Sequence, residues 1–129
     1  MREFEINTPA EGFIDITDLV AAAVEAAAVQ QGLCQIFVPH TTAAVTINEN
    51  ADPDVVRDML AALAEMAPRL PYRHREGNSL AHVKSSLLGC SVTVPIVAGR
   101  LWLGRWQGIY FCEFDGPRRR KFVVNIVGA

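Results

Sequence analysis

An apolar run at residues 33–38, interrupted only by Gln35, is the feature that most constrains how this chain of 129 residues can fold. A strand without polar alternation is typical of the interior of a sheet, so the run predicts a central strand. Further strands are predicted at residues 2–7, 44–48, 91–97, 108–114 and 122–127. The turn at residues 115–121 joins the last two strands, and we expect the pair to form a C-terminal hairpin.

The first helix is predicted at residues 18–31, which are rich in alanine, a strong helix former. Thr17 or Asp15 is suited to cap the start of this helix. Gly32 is suited to end it, because glycine readily adopts the left-handed backbone conformation found after many helices.

Two more helices are predicted in the middle of the chain. Asp52 followed by Pro53 favours a helix start, and the helix should run to about Met66, with Pro68 and Pro71 ending it. A short third helix is predicted at residues 79–87, with Asn78 placed to cap it. Strands and helices mixed in this order indicate an α+β fold rather than a doubly wound sheet.

Length and charge narrow the class of protein. The length suits one domain, residues 1–129, and the formal net charge of −2 gives no overall attraction to nucleic acid or to a membrane surface. The longest apolar helical run is too short to cross a bilayer, and the mixed-charge N-terminus does not resemble a signal peptide. We therefore expect a cytoplasmic protein.

The cysteines give no sign of a disulfide framework or a zinc ribbon. Cys34, Cys90 and Cys112 are far apart and form no CxxC pair. Cys34 and Cys112 lie within apolar stretches, where free cysteine behaves as a small hydrophobic side chain. We expect these two to be buried thiols.

Every histidine of the chain lies in a predicted loop or beside the end of an element. His40 follows the central strand and stands next to the hydroxyl of Thr41, whereas His74 and His82 lie in a dense polar segment at residues 72–86. Their spacing matches no common zinc motif. Three imidazoles can nevertheless converge on one metal ion or one anionic substrate, as ligands or as acid–base groups. The sequence therefore predicts a shared site.

Other polar side chains of this segment suit such a site. Glu76 is a candidate base, or a partner that orients a histidine. Lys84 is a candidate for neutralising a phosphate; the alternative is an ordinary solvent-facing lysine. Ser85 can hydrogen-bond either substrate or backbone.

Three smaller clusters allow two interpretations each. Glu49 and Asn50 could hold a hydrated magnesium ion or simply serve turn geometry. The basic run at residues 118–121 is either a solvated turn or a local anion clamp. Trp106 beside Gln107 could stack on a heteroaromatic ring and bond its edge, or pack in a subunit interface.

Three stretches, at residues 39–53, 74–86 and 91–107, together resemble the YjbQ-like family, known as secondary thiamine-phosphate synthase enzymes. The resemblance covers almost the whole chain. The family's Gly-Thr-Trp-Gln motif reads Gly104-Arg105-Trp106-Gln107 here. The Trp–Gln pair is kept, while Arg105 replaces the threonine and removes its hydroxyl.

The resemblance implies a compact α+β subunit with a large, mostly antiparallel sheet, assembled as a homotrimer with active sites close to subunit contacts. It also implies a small phosphorylated substrate: the family reaction joins a hydroxymethylpyrimidine diphosphate to a thiazole phosphate and releases pyrophosphate. His40, His74 and His82 are the candidate ligands of a divalent ion, zinc or magnesium. Alternatively, they are candidate acid–base groups. The candidate pocket residues carried over from the family are Glu76, Asn78, Lys84, Trp106 and Gln107.

Two other functions fit the same residues. One is a metal-dependent hydrolase of a small phosphorylated or carbonyl substrate, in which the histidines surround a zinc-bound water. The other is a non-catalytic trimer that binds a small ligand. The closeness of His, Glu and Lys side chains favours an enzyme over a binding module.

Overall fold

In the computed structural model, which describes residues 1–67 and 69–129, the chain forms two antiparallel sheets and three helices. The strands are β1 (Arg2–Asn7), β2 (Gly12–Asp15), β3 (Gln31–Phe37), β4 (Ala43–Glu49), β5 (Ser91–Val97), β6 (Arg100–Leu101), β7 (Gln107–Glu113) and β8 (Arg119–Gly128). The helices are α1 (Thr17–Ala27), α2 (Pro53–Met66) and α3 (Ser79–Leu88). The predicted α+β class is confirmed, and the helix stop predicted at Pro68 lies outside the described residues.

The strands divide into a five-stranded sheet, in the order β1-β8-β3-β5-β6, and a three-stranded sheet, β2-β7-β4. β3 lies between β8 and β5, so the predicted central position is confirmed. The predicted C-terminal hairpin is wrong, because β7 and β8 belong to different sheets. Their apolar faces pack across the core instead, with the rings of Phe111 and Phe122 6.3 Å apart.

The helices cover two of the sheet faces. α1 packs into the core between the two sheets through Val20 and Val24, which are fully buried. α2 and α3 cover the opposite face of the three-stranded sheet, where Leu63 and Ala81 meet Cys112. Cys34 and Cys112 are buried as predicted. Within the described part of the chain, no helix is both long and apolar enough to cross a lipid bilayer.

The outer face of the five-stranded sheet is open and carries exposed apolar side chains among polar ones. Side chains alternate along β3, so Cys34 and Ile36 point into the core while Leu33 and Phe37 are 52% and 37% exposed. In the single chain this central strand is therefore buried on one face only. Val127 of β8, opposite Leu33, extends the apolar surface.

Gly32 lies inside β3 and does not end α1. The helix stops at Ala27, and Ala28 takes the left-handed conformation with φ of 55°. Gly32 pairs with Gly128 of β8, and a Cβ at position 32 would overlap the carbonyl oxygen of Val127. The glycine is required by the close approach of two strands.

We predict that Gly32→Ala lowers the free energy of unfolding by about 1–3 kcal/mol, because strand backbone must move to admit the methyl group. Gly128→Ala is the matched control: its Cβ would meet Val29 at an ordinary 3.5 Å. Chemical denaturation of both variants measures the difference. Equal losses at the two positions would contradict the steric explanation.

A buried ion pair joins the two sheets. Glu113, at the end of β7, is 0% exposed, and Arg120 of β8 is 5% exposed. The Arg120 Nε donates to Glu113 Oε1 at 2.8 Å and Nη2 donates to Oε2 at 2.6 Å, a bidentate arrangement. The Thr8 hydroxyl also donates to Oε1, at 2.5 Å. Burial opposes ionisation of Glu113, but the bonds from Arg120 and Thr8 outweigh it and hold its pKa below the ordinary value.

We predict that Glu113→Gln lowers the free energy of unfolding at pH 7 by about 3–5 kcal/mol, since it leaves Arg120 buried without a counter-charge. Because the folded-state pKa of Glu113 is lowered, the ionised pair stabilises the fold at neutral pH. The difference from wild type should therefore shrink as the pH falls below the ordinary value of 4.5.

Glu5→Gln is the control for this substitution. Glu5 pairs with Arg119, the neighbour of Arg120, but both side chains are exposed. Its loss should cost at most about 1 kcal/mol. Denaturation curves from pH 3 to pH 7 compare the two variants, and a similar small effect from both would show that burial adds nothing to the pair.

Candidate functional site

A cleft of about 580 Å³ opens beyond the end of β3, and all three histidines line it. His40 lies in the connection between β3 and β4, His74 lies before the α3 helix, and His82 is in its first turn. Elements remote along the chain thus bring the three imidazoles to one cavity. Their roles as ligands or acid–base groups stay predictions.

A tight turn presents His74 and Glu76 to the cleft. The amide of Gly77 donates to the carbonyl of His74 at 3.2 Å, and Gly77 has a φ of 74°, which favours glycine. The ring of His74 meets that of His82 edge to face, with centroids 5.5 Å apart. Nowhere in residues 1–67 and 69–129 do three or more His, Cys, Asp or Glu side chains form a group arranged to hold a metal ion.

His40 is held by the backbone of β8. Its Nε2 accepts a hydrogen bond from the Lys121 amide at 3.0 Å. Burial, and then the positive charge of Arg120, lower the pKa of His40 below its ordinary value. The ring is therefore neutral at pH 7.

Alternate residues of the basic run face the cleft. Arg118 and Arg120 line it, while Arg119 pairs with Glu5 on the other side of the strand. The Arg120 Nη2 also donates to the Thr42 hydroxyl at 2.8 Å, which ties that side chain to the cleft wall. Two guanidinium groups thus line the cleft together with the histidines, each paired with a carboxylate.

Asn78 contributes a buried oxygen that lacks a donor. Its Nδ2 donates to Asp115 Oδ2 at 2.8 Å, so the side chain does not cap α3 as predicted. Its Oδ1 is buried and accepts no hydrogen bond from the described residues. Because an unpaired buried carbonyl is costly, this atom is suited to accept from a bound ligand or water.

Asp115 connects Asn78 to the arginine side of the cleft. It also accepts from Arg118 Nη2 at 2.9 Å. The hydrogen bond from Asn78 and the charge of Arg118 lower the pKa of Asp115. The carboxylate is therefore ionised and fixes both side chains at neutral pH.

Lys84 and Ser85 serve to attach α3. Lys84 is buried and pairs with Glu11 at 3.0 Å, close to the ring of Phe114, and is not among the residues that line the cleft. The Ser85 hydroxyl donates to the carbonyl of Thr41 at 2.5 Å, which fixes the helix to the loop that carries His40. Thr41 itself lines the cleft.

Trp106 and Gln107 lie elsewhere. β4 leads from the cleft to their end of the sheet, a length of roughly 20 Å for seven residues. Trp106 is 53% exposed, with the guanidinium carbon of Arg105 4.7 Å from its ring centroid. The Gln107 Oε1 accepts from the Gly104 amide at 2.8 Å. A single chain does not bring this pair to the histidines.

The polar cluster at the far end of β4 is used within the fold. The Asn50 Nδ2 donates to Asp15 at 3.1 Å, and Asn48 Oδ1 accepts from the Glu49 amide at 2.8 Å. Any Cβ at Gly108 would collide with the side chain of Asn50. These bonds favour the turn-geometry interpretation over a magnesium site.

Sequence reasoning did not single out Phe37 or Cys90, which also line the cleft, whereas Thr42, the second hydroxyl beside His40 in the sequence, is found there. Cys90 is exposed, and its carbonyl accepts from the Val38 amide at 2.8 Å, which places it beside the strand that leads to His40. No local pattern marks Phe37 or Cys90, because they reach the cleft through strand pairing and packing. The side chains that pair with Arg120 could not be predicted from the sequence for the same reason.

Comparison with known proteins agrees with the fold. The family model described as UPF0047 protein YjbQ-like matches residues 2–129. A UPF0047 protein of Methanocaldococcus jannaschii is 50% identical over 98% of this chain and 93% of its own length. The UPF0047 protein YugU of Bacillus subtilis is also 50% identical, over 95% of this chain and 94% of its own.

Solved structures are similar along the whole chain. A yjbq/upf0047 family protein from Clostridium acetobutylicum is 53% identical, with a TM-score of 0.96 over 98% of this chain and 100% of that one. A conserved protein from Thermus thermophilus is 47% identical, with a TM-score of 0.91 over 98% of this chain and 100% of that one. The chain therefore belongs to the YjbQ-like UPF0047 family.

Proposed function

We propose that the protein is an enzyme that acts on a small phosphorylated substrate in the histidine cleft, as a secondary thiamine-phosphate synthase. One observation carries the proposal: three histidines, two arginines and a glutamate line the same cavity. A cavity with this lining offers N–H donors for phosphate oxygens, although Arg118 and Arg120 are each paired with a carboxylate, and it offers proton donors or acceptors beside them.

The reaction depends more on stabilising the leaving group than on activating the nucleophile. The carbon–oxygen bond of the hydroxymethylpyrimidine diphosphate breaks, and its electron pair leaves with pyrophosphate. The thiazole nitrogen then forms the new bond to the exposed methylene carbon and becomes positively charged, so no proton has to be removed from it. Arg118 and Arg120 would bind the departing phosphates, and His82 would donate to a leaving oxygen.

A divalent metal ion belongs to the proposal. His74 and Glu76 line the cleft and offer a nitrogen and an oxygen donor, while His82 is kept as the proton donor. Because the described residues do not by themselves form a metal-holding group, phosphate oxygens of the substrate would complete the coordination. This donor set suits zinc better than magnesium, which prefers oxygen ligands. A bound ion would supply further positive charge for the phosphate groups.

We predict that the purified protein forms thiamine phosphate from the two phosphorylated precursors. His82→Ala should lower kcat/KM by about 100-fold or more, because it removes a proton donor, without loss of the fold. Arg119→Ala, beside the cleft residues but turned away from them, should keep wild-type activity. Product is measured by chromatography and folding by thermal melting.

A wild-type enzyme that forms no product, and does not rescue a thiamine auxotroph at high expression, would contradict the proposal. A melting temperature that collapses in His82→Ala would instead make the residue structural. Rescue of the auxotroph also tests the cytoplasmic location that we propose, because the enzyme must meet two precursors that are made inside the cell.

The second candidate is a metal-dependent hydrolase. The separation of Trp106 and Gln107 from the cleft favours it, because the family's Trp–Gln pair is then not available to a heteroaromatic ring bound beside the histidines of the same chain. A hydrolase of this kind should lose all activity with a chelator and regain it with zinc. Binding of phosphorylated ligands without turnover would support a non-catalytic protein.

We also propose that the subunit assembles as a homotrimer through the open face of the five-stranded sheet. The support is an apolar surface that includes Leu33, Phe37, Val97 and Val127, each more than a third exposed. Phe37 also lines the cleft, so a neighbouring subunit on this face would lie at its mouth. Because a single chain holds Trp106 away from its own histidines, Trp106 would have to come from a neighbouring subunit to reach a histidine cleft.

We predict that wild type is a trimer by light scattering and that Leu33→Glu dissociates it, because a charge would be buried in the contact. Leu19→Glu, on the solvent side of α1 and 41% exposed, should remain trimeric. Wild-type protein that scatters as a monomer, or two variants with equal mass, would remove the sheet-face contact from the proposal.

A further inference from the structure

The hydrogen bond between Lys121 and His40 determines which ring nitrogen carries the proton. A backbone amide can only donate, so His40 Nε2 must present its lone pair to it. A neutral imidazole then holds its proton on Nδ1. Turning the ring over would place a carbon–hydrogen group against the Lys121 amide and leave that amide without an acceptor.

The other ring nitrogen is available to a ligand. His40 lines the cleft, and its Nδ1 hydrogen-bonds to no residue that the structure describes. His40 Nδ1 is also accessible to solvent. Among residues 1–67 and 69–129, Asn78 Oδ1 is the one buried side-chain atom that lacks a hydrogen-bond partner, so the unpartnered His40 Nδ1 is not buried. His40 therefore offers a donor of fixed direction to the cavity.

Arg120, the neighbour of Lys121, offers a second donor. Its Nε and Nη2 are taken by Glu113 and Thr42. Its Nη1 bonds to none of the described residues and is not sealed from solvent, although the residue is 95% buried. The bidentate bond to Glu113 prevents the guanidinium from turning, so Nη1 is as firmly oriented as the His40 ring.

We propose that His40 Nδ1–H and Arg120 Nη1–H form a paired donor site for the oxygens of a phosphate group, and that His40 is not a metal ligand. The inference rests on the proposed function and names the atoms that recognise its phosphorylated substrate. Two fixed donors without a neighbouring acceptor suit an anionic oxygen.

The same geometry disfavours metal coordination by His40. A histidine that binds a metal through one nitrogen usually donates its other N–H to an acceptor. Coordination through Nδ1 would move the proton of His40 to Nε2, where it would face the N–H of Lys121. The two donors would repel each other at 3.0 Å. His74 and His82 have no such bond from the backbone.

Long-range proton–nitrogen NMR of histidine-labelled, metal-free protein tests the proton position directly, with the His40 signals assigned from their absence in His40→Asn. We expect the Nδ1–H form of His40, and we expect it to persist when zinc is added. An Nε2–H form, with or without zinc, would overturn the inference.

Calorimetric titration of metal-free protein with pyrophosphate tests the donor. His40→Asn keeps an amide donor near the Nδ1 position, whereas His40→Gln places its amide near Nε2 and leaves the cleft without one. We expect His40→Gln to bind pyrophosphate about tenfold more weakly than wild type and His40→Asn to stay within about threefold. Melting curves confirm that both variants fold.

The outcomes separate the two proposals. Wild type that binds no pyrophosphate would overturn the phosphorylated substrate and the donor site together. Wild type that binds it, with His40→Asn and His40→Gln equally weak or equally strong, would overturn the donor site alone and leave the proposed function in place.

Discussion

The buried pair of Glu113 and Arg120 is the interaction on which both the fold and the cleft depend. It joins the end of β7 to β8, and so fixes one sheet to the other at the point where the cleft opens. A buried ion pair is tolerable only when its remaining hydrogen-bonding groups are satisfied. Thr8 and Thr42 do this on the two sides of the pair, and Arg120 also lines the cavity. The same contact that closes the core therefore supplies a wall of the site.

Local sequence pattern predicted most elements, because strands and helices carry their own periodicity. The strand at residues 33–38 and the helix begun by Asp52 are where the pattern indicated, and the Asp52 carboxylate accepts from the Asp54 amide at 2.9 Å. Strand partners were not predictable in the same way. β7 and β8 are adjacent in sequence and apolar, which is typical of a hairpin. Yet β7 pairs within the three-stranded sheet and β8 within the five-stranded sheet. The role of Gly32 was predicted wrongly for a related reason. A glycine is required there because the backbone of Val127, far along the chain, lies too close to admit a Cβ.

The candidate site divides similarly. The histidines stood out because polar residues outside any core stripe need another explanation, and all three line the cleft. The pattern said nothing of what each side chain contacts. Lys84 looked suited to phosphate, but Glu11 compensates its charge away from the cleft. Trp106 and Gln107 belong to the family motif, yet a single chain holds them far from His40. Residue type can thus predict a site, while pairing in three dimensions decides its members.

The two walls of the cleft are built differently, and this suggests how their work is divided. His40 and Arg120 are attached to the strands and each is held by at least one short bond to the backbone or to a buried carboxylate. Donors fixed in this way lose little freedom when an anion binds, so binding energy is not spent on ordering them. His74 and Glu76 lie on an exposed turn instead. Their side chains can adjust to a metal ion or a moving proton. In the proposed reaction, the fixed side of the cleft would hold the phosphate, and the adjustable side would change partners as the leaving group departs.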